Sequence, residues 1–389
     1  MKRRPFSKRV ADLETIGANY TARQAMELES QGRAFIPLWA TPNCSPAEHV
    51  KAAARKAVEE IRFDRAEGFK ELREAIARKL QQENGFSADP EKEILVTHGA
   101  MEGLFSTLQA ILDPGDEVLC FSPIFFFYGH IHLAGAKAVY VPLDEPAGFR
   151  WNVAALEKAV TRRTKLLIIN TPQNPTGYVA TRQDLEAVAD FARKHDLLVL
   201  CDESYDRFMY DGRKHVSFAS LPGVSDRVIT VFSCTKSYAL PMYRTGYVVA
   251  SAGLCEYIKR IHEWITFYPS NVCQQAALAA ITGPQAWLRQ IPGDFQQMRN
   301  VIWEGMNSIE GLSAVKPQGG PYLWLNVAGL GMDPDALSLS LMREEGIETT
   351  PARWFQSSGH VRIPFGGELD DLRRVVAGMA AFVQRMKKK

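Results

Sequence analysis

Ser233, Lys236 and Arg244 bring a hydroxyl, an amine and a guanidinium close together, just after an apolar segment at 227–232. A lysine held in a dry, positively biased pocket has a lowered pKa and can form a Schiff base with a carbonyl group. Arginine binds phosphate through a bidentate fork, and serine donates a further hydrogen bond. The spacing therefore predicts a lysine nucleophile beside a phosphate. Because most Ser-x-x-Lys segments carry an ordinary surface lysine, this interpretation depends on the other segments described below.

A carboxylate and a phenol follow a second apolar segment, residues 197–200. Short all-apolar runs are typical of strands buried on both faces of a parallel sheet, and open α/β sheets bind ligands at the carboxyl ends of their strands. Asp202 is expected at this edge, where a buried carboxylate needs a partner such as a protonated pyridine nitrogen. That pair would keep the ring cationic and electron-withdrawing. Tyr205 would reach the phenolic oxygen of the same ring. The alternative is that Asp202 caps the next helix.

An asparagine lies in the loop after a third apolar segment, residues 166–169. Asn174 precedes a proline, and a residue in that position is steered away from the helical region, which restricts the direction of its side chain. We therefore expect Asn174 to donate to the ring's phenolic oxygen and to share that oxygen with Tyr205. Asn-Pro-x-Gly is also an ordinary turn sequence.

Small residues follow a fourth predicted strand, residues 93–97, and precede a helical pattern at 103–112. Glycine allows a close approach of the backbone, and the first amides of a helix are free to bind phosphate. Gly99, Ala100 and Met101 are the candidates for this contact. A plain strand-to-helix turn is the alternative.

The fifth segment, residues 118–128, ends in a run of aromatic side chains. One of them, Phe125, could stack on a flat ring. Aromatic runs are more often part of the core.

These five segments, in this order, make the sequence similar to the class I/II aminotransferases of the fold type I pyridoxal-phosphate family, from about residue 33 to the C-terminus. The resemblance implies pyridoxal 5'-phosphate as cofactor and Lys236 as the Schiff-base lysine and catalytic proton shuttle. It implies that the cofactor contacts are Gly99, Ala100, Met101, Phe125, Asn174, Asp202, Tyr205, Ser233, Lys236 and Arg244. Arg362, in the segment 360–365, corresponds to the arginine that holds the substrate's α-carboxylate, with Asn174 beside it.

The implied reaction is ping-pong transamination between an L-amino acid and a 2-oxo acid, in which Lys236 removes the α-proton as general base. Two alternatives remain open. One is a different pyridoxal-phosphate enzyme on the same scaffold, such as a lyase, an amino-acid oxidase or a cyclase of secondary metabolism, because these motifs bind the cofactor and do not dictate the bond broken. The other is a non-catalytic regulator domain, which the roughly thirty residues before the match disfavour.

The sequence departs from the family pattern around the cofactor. Phe63 stands where the family often has a tyrosine that binds phosphate across the dimer, and Arg62 or Arg65 is a candidate substitute. Met242 replaces a glycine, which makes one wall of the pocket bulkier. The glycine-led start of the substrate loop is replaced by residues 38–43, so Trp39 and Thr41 are expected to bind the substrate or define its access.

The substrate side chain is less well defined. Dicarboxylate-specific members carry a cationic residue before a Ser-Asn segment, whereas residues 266–269 here are Thr-Phe-Tyr-Pro. This argues against a strictly dicarboxylic substrate. Candidates for an apolar or aromatic side-chain pocket are Trp39, Phe126, Tyr128, Tyr322 and Trp354.

The composition fits a soluble, cytoplasmic enzyme. The chain has 389 residues, 46% of them hydrophobic and 23% charged, which is enough for a large core and two domains. A formal net charge of +2 does not suggest nucleic-acid binding, and no apolar run approaches the length of a membrane span. The six cysteines have no metal-ligand spacing, so we expect reduced thiols and no metal.

Helical patterns alternate with short apolar strands from about residue 68 to 249, which favours an α/β fold with a mostly parallel central sheet flanked by helices. We expect a large cofactor-binding domain at 49–290 and a small α+β domain at 291–389, with 1–48 forming an N-terminal arm and part of the small domain. The resemblance implies a homodimer with active sites near the interface.

Overall fold

The computed structural model describes residues 7–42, 45–60 and 62–388. A seven-stranded sheet forms the centre of the larger part of the molecule, in the order β1-β7-β6-β5-β4-β2-β3. Strand β7 runs antiparallel to both neighbours, and the remaining neighbours are parallel. The strands are β1 (Ile94–Thr97), β2 (Glu117–Ser122), β3 (Lys137–Pro142), β4 (Thr164–Asn170), β5 (Leu198–Asp202), β6 (Val228–Ser233) and β7 (Gly246–Ala250).

The central strands are buried on both faces, as their all-apolar runs predict. Every residue of β1, β2, β6 and β7 is buried, and helices cover both sides of the sheet, which removes the need for polar alternation. The register brings Asn170 beside Asp202 and Asp202 beside Val231, two residues before Ser233. The polar residues that follow these strands therefore meet at one edge of the sheet.

Helices surround this sheet and also form the N-terminal segment. They are α1 (Lys8–Ala11), α2 (Gly17–Ser30), α3 (Glu48–Glu59), α4 (Lys70–Lys79), α5 (Gly99–Ile111), α6 (Phe127–Leu133), α7 (Val153–Ala159), α8 (Arg182–Lys194), α9 (Cys234–Ser237), α10 (Ala252–Thr266), α11 (Asn271–Thr282) and α12 (Ala286–Arg289). Helix α5 begins at Gly99, four residues before the start that its apolar pattern predicts. The amides of Ala100 and Met101 consequently belong to its first turn.

A second, three-stranded antiparallel sheet has the order β8-β10-β9, formed by β8 (Tyr322–Asn326), β9 (Thr350–Pro351) and β10 (His360–Pro364). It packs with α13 (Ile291–Asn307), α14 (Pro334–Glu345) and α15 (Leu369–Lys387) in one apolar core. The N-terminal segment joins this part of the molecule, because Ile36 lies in that core and Trp39 pairs with Gly366 through backbone hydrogen bonds.

Among the described residues, none of the helices combines the length and the apolar character needed to span a membrane. Cys120, Cys201, Cys234 and Cys255 are buried and unpaired, and Cys273 is partly buried. Cys44 lies outside the described residues.

Candidate active site

A cavity of about 260 Å³ opens at the carboxyl edge of the large sheet. All the predicted cofactor contacts except Gly99 line this cavity, namely Ala100, Met101, Phe125, Asn174, Asp202, Tyr205, Ser233, Lys236 and Arg244. Gly99 lies directly behind them, since a Cβ added to it would be 2.9 Å from Nη2 of Arg244. Segments that are far apart in the sequence thus meet in one place.

Lys236 lies on the single helical turn α9, which starts where β6 ends. Its Nζ donates a 2.8 Å hydrogen bond to the carbonyl oxygen of Ala40 and lies 5.6 Å from the centre of the Tyr205 ring. Loss of hydration lowers the pKa of Lys236; the nearby cations Arg362 and Arg244 act in the same direction. The amine is therefore biased toward its neutral, nucleophilic form.

Asp202 ends β5 and is almost fully buried. Its Oδ1 accepts hydrogen bonds from the amide and the hydroxyl of Ser204, at 3.0 Å and 2.5 Å. Burial raises the pKa of Asp202. Within the described part of the chain, no Lys, Arg or His forms a salt bridge with this carboxylate. A cationic ring nitrogen would supply a partner for this carboxylate, and its pairing with Asp202 stays a prediction.

The loop that carries Asn174 is fixed by hydrogen bonds to the sheet edge. The Asn174 amide donates to Oδ1 of Asn170 at 2.7 Å, and Nδ2 of Asn170 donates to the carbonyl of Asp202 at 2.9 Å. These hydrogen bonds fix the position of Asn174 relative to Asp202 at the wall of the cavity.

Two tyrosines of the cavity wall contact each other, since the hydroxyls of Tyr205 and Tyr322 are 3.1 Å apart. Burial raises the pKa of Tyr205. Burial also acts to raise the pKa of Tyr322, but the positive charges of Lys236 and Arg362 outweigh it, and the net shift is downward. Sequence reasoning placed Tyr322 only in the side-chain pocket, because its contact with Tyr205 spans 117 residues.

The N-terminus of α5 and Arg244 form an anion-binding environment. His98 precedes the helix and offers no side-chain cap, so the first amides of α5 are left for another acceptor. Gly246 leaves the space beside the first amides of α5 free, since a Cβ at this position would lie 2.6 Å from the Ala100 amide nitrogen. Arg244 donates to Thr235 Oγ1 at 3.2 Å and to the Pro241 carbonyl at 3.3 Å.

No carboxylate among the described residues forms a salt bridge with Arg244. A guanidinium and free helix amides that face one cavity fit a phosphate group. Sequence reasoning missed Thr235 and Gly246. Of these two, Thr235 is the one that the sequence could have revealed, because it directly precedes Lys236.

Phe125 lies in the cavity wall and packs against Phe355, with ring centres 4.9 Å apart. The guanidinium carbon of Arg362 is 4.4 Å from the Phe125 ring centre and 4.3 Å from that of Tyr322. Phe125 thus contributes an aromatic ring to the cavity wall.

Arg362 lies on β10 of the small sheet, directly behind Asn174, Phe125 and Tyr322. Its Nη1 donates to Oδ1 of Asn174 at 3.1 Å, and its Nη2 lies 3.4 Å from Oγ1 of Thr350. The side chain is nearly fully buried, and Nε has no hydrogen-bond partner among the described residues. A buried guanidinium with spare donor capacity suits a carboxylate.

The structure places Trp39 and Thr41 outside the wall of this cavity. Trp39 is 46% exposed, and its backbone pairs with Gly366. Between them, the carbonyl of Ala40 reaches Lys236. The segment thus contacts the site through its backbone, which side-chain types do not reveal, and substrate binding by Trp39 and Thr41 stays a prediction.

A larger cavity of about 730 Å³ adjoins the first and shares Ile16, Met101, Phe125 and Phe126 with it. Its wall includes the predicted Tyr128 and Trp354, and also side chains that sequence reasoning missed: Leu13, Glu14, His98, Glu102, Phe105, His130, Leu133, Ile265 and Arg353. Leu13 and Ile16 precede the segment on which the resemblance rests, so no motif marked them.

A mostly parallel α/β sheet with a lysine, a buried aspartate and an anion-binding helix end at one edge defines a pyridoxal-phosphate enzyme of fold type I. The profile of the family Aminotransferase class I and II matches residues 40–379, and the chain belongs to this family. It is a pyridoxal-phosphate-dependent aminotransferase, as the sequence predicted.

Known relatives are similar over most of the chain. It is 35% identical to aromatic-amino-acid aminotransferase 2 of Thermococcus litoralis, over 89% of this chain and 90% of that protein. It is 36% identical to an aspartate aminotransferase of Pyrococcus abyssi, with the same coverage. The structure of aspartate aminotransferase from Thermus thermophilus with maleate has a TM-score of 0.92 at 32% identity, covering 97% of this chain and 100% of that one.

Proposed function

We propose that this aminotransferase acts on L-amino acids with large apolar or aromatic side chains, and that the residues at the sheet edge hold its cofactor. Bound pyridoxal phosphate supplies an aldehyde that condenses with amines and a ring that withdraws electrons from the adjacent carbon. Lys236 would bind the cofactor and carry the proton to and from the substrate's α-carbon. Its lowered pKa supports this role, because a neutral amine is the required base.

The remaining contacts would fix the ring. Asp202 would pair with the ring nitrogen, and Asn174 with Tyr205 would donate to the phenolic oxygen. Phe125 would pack on the ring face. The phosphate would lie against Gly99, Ala100, Met101, Ser233 and Arg244.

Arg362 would bind the substrate's α-carboxylate. Its position behind Asn174 and Phe125 supports this assignment, since both residues also line the cofactor cavity. Trp39 and Thr41 would act at the entrance.

The adjoining 730 Å³ cavity is the observation that carries the substrate class. Phe126 connects it with the cofactor cavity, and Tyr128 and Trp354 form part of its wall. Arg353 is an arginine of the cavity wall that could bind a distal carboxylate of a substrate. It already forms salt bridges with Asp335 and Glu14, which compete with such a carboxylate. An apolar or aromatic side chain therefore suits the cavity better than an acidic one.

The test is a titration of the purified holo-protein with single L-amino acids, following the absorbance of the bound cofactor. Phenylalanine, tyrosine and leucine should convert the cofactor at lower concentrations than aspartate or glutamate. Product analysis should find the matching 2-oxo acid. A preference for aspartate would contradict the proposed substrate class, and oxygen uptake or release of an elimination product would contradict simple transamination.

We also propose a homodimer whose interface covers the loop before α4 and the end of α10. Several large apolar side chains there are exposed in the single chain, among them Phe63 (77%), Trp264 (92%) and Phe267 (75%), and Met242 in the segment 241–243 is exposed as well (85%). Isolated monomers seldom expose such groups together. Analytical ultracentrifugation should show a dimer, and Trp264→Glu should weaken it. A monomer at micromolar concentration would contradict this proposal.

We further propose the domain limits 1–48, 49–290 and 291–389; the break between α12, which ends at Arg289, and α13, which begins at Ile291, supports the limit between 290 and 291. Unpaired buried cysteines support a reducing, cytoplasmic location. Limited proteolysis and cell fractionation would test these two points.

A further inference from the structure

A carboxylate whose side chain is 9% exposed, that of Glu102, lies in the first turn of α5, on the helix whose N-terminus is assigned to the phosphate. Oε1 of Glu102 accepts from the Ser106 hydroxyl at 2.6 Å, and Oε2 accepts from the His98 backbone amide at 3.1 Å. Nδ1 of His262, on α10, lies 3.0 Å and 3.1 Å from these two oxygens. Nε2 of His262 lies 3.0 Å from the carbonyl oxygen of Ala66.

The partners of His262 define its charge. A carboxylate faces one ring nitrogen and a backbone carbonyl faces the other, and both groups only accept hydrogen bonds. With Glu102 as a carboxylate, both partners of the fully buried His262 accept hydrogen bonds, so a proton on each ring nitrogen satisfies both contacts. Burial acts to raise the pKa of Glu102, but the hydrogen bond and charge of His262 outweigh it and keep the net pKa below the ordinary value. The pair is therefore a carboxylate and an imidazolium.

This pair has an electrostatic consequence for an anion at the same helix end. A helix N-terminus attracts phosphate through its free amides and its dipole. A bare carboxylate in the same first turn would repel that phosphate. With His262 protonated, the negative charge of Glu102 is neutralised locally, while Glu102 still accepts the His98 amide hydrogen bond.

We propose that His262 is a positioning residue for the cofactor, which neutralises Glu102 and thereby permits tight binding of the phosphate at the N-terminus of α5. This inference rests on the proposed assignment of the phosphate to Gly99, Ala100 and Met101. A unit charge roughly 10 Å from a phosphate changes the affinity for it on the order of tenfold at the effective dielectric of protein surfaces.

Binding of pyridoxamine phosphate to the apo-protein tests the proposal by calorimetry, because this amine forms no covalent bond with Lys236. His262→Gln should weaken the binding about tenfold. The affinity of the same variant for pyridoxamine, which lacks the phosphate, should fall by less than about twofold, since the binding of pyridoxamine does not depend on charge at the helix end.

The double variant Glu102→Gln with His262→Gln should recover the wild-type affinity for pyridoxamine phosphate to within about twofold, because it carries neither charge. Glu102→Gln alone should bind at least as tightly as wild type. A purely structural role gives the opposite pattern, in which each substitution weakens binding and the double variant is weakest. That pattern, or an unchanged affinity in His262→Gln, overturns the proposal.

Two controls complete the design. His195→Gln breaks another His–Glu pair of the large domain, at the end of α8, in which Nε2 of His195 lies 3.0 Å from Oε2 of Glu157, and should leave the phosphate affinity unchanged. Arg244→Ala tests the phosphate assignment itself. If Arg244→Ala has no effect, the assignment is wrong; if only His262→Gln has no effect, the assignment stands and the role of His262 is refuted.

Discussion

Replacing Arg362 by lysine separates carboxylate recognition from the rest of catalysis. The guanidinium is a planar fork whose Nη1 bonds Asn174, and it lies between the rings of Phe125 and Tyr322. Lysine keeps the charge but offers a single point of contact. A hydrogen bond to a charged group contributes about 1.5–3 kcal/mol, so the loss of one such bond to a substrate carboxylate should raise KM by roughly 10–150-fold.

The assay compares two amino donors with Arg362→Lys. Phenylalanine carries a carboxylate, whereas phenethylamine has the same side chain and amine without it. We expect kcat/KM for phenylalanine to fall by the factor above, while the slow rate with phenethylamine changes by less than about threefold, since that amine never makes the lost contact. The difference between the two donors is the measured quantity.

A matched control is Arg353→Lys, which alters a half-exposed arginine in the wall of the larger cavity. This substitution should change kcat/KM for phenylalanine and for phenethylamine by a similar, small factor. If Arg362→Lys slows both donors equally, Arg362 supports the fold of the site and does not select the carboxylate. In that case the assignment of Arg362 as the carboxylate-binding residue is wrong.

Three further substitutions test other parts of the site and fold. Lys236→Ala should abolish turnover with an unchanged circular dichroism spectrum, and multiple turnovers by this variant would remove Lys236 from catalysis. Tyr322→Phe should lower the pKa of Lys236 further, because Tyr322 is the group that raises this pKa most. In the apo-protein, the pH at which the acetylation rate of Lys236 reaches half its maximum should therefore decrease. An increase would contradict the electrostatics. Leu200→Ala, in the fully buried centre of β5, should cost about 2–5 kcal/mol in urea unfolding, and a loss below about 1 kcal/mol would refute tight packing there.

Much of the large domain follows from local sequence patterns. The runs that became β4, β5 and β6 are apolar throughout because helices cover both faces of the sheet, and no helical periodicity competes with that pattern. Asp202 and Ser233 were predictable because each ends its strand, and neighbouring parallel strands end at the same edge.

Other features depend on contacts that no local pattern encodes. The start of α5 was misplaced because glycine is a poor helix former, although Gly99 with a φ of 72° is what lets the chain turn from β1 into the helix. The carbonyl of Ala40 reaches Lys236 across 196 residues, and a backbone group carries no side-chain signature. Nothing in the local sequence of α10 sets His262 apart, and only the fold brings Glu102 beside it.

Asn174 forms hydrogen bonds with residues of both sheets. Its backbone amide is bonded to Asn170 at the edge of the large sheet, while its side-chain oxygen accepts from Arg362 of the small sheet. The amide side chain has one acceptor and two donors, so holding the arginine leaves Nδ2 free to donate toward the cavity. A shift of the small sheet that moved Arg362 would therefore reorient the same group that is assigned to the cofactor. The residues assigned to the substrate and to the cofactor are therefore coupled through Asn174, in addition to the contacts of Tyr205 with Tyr322 and of Phe125 with Arg362.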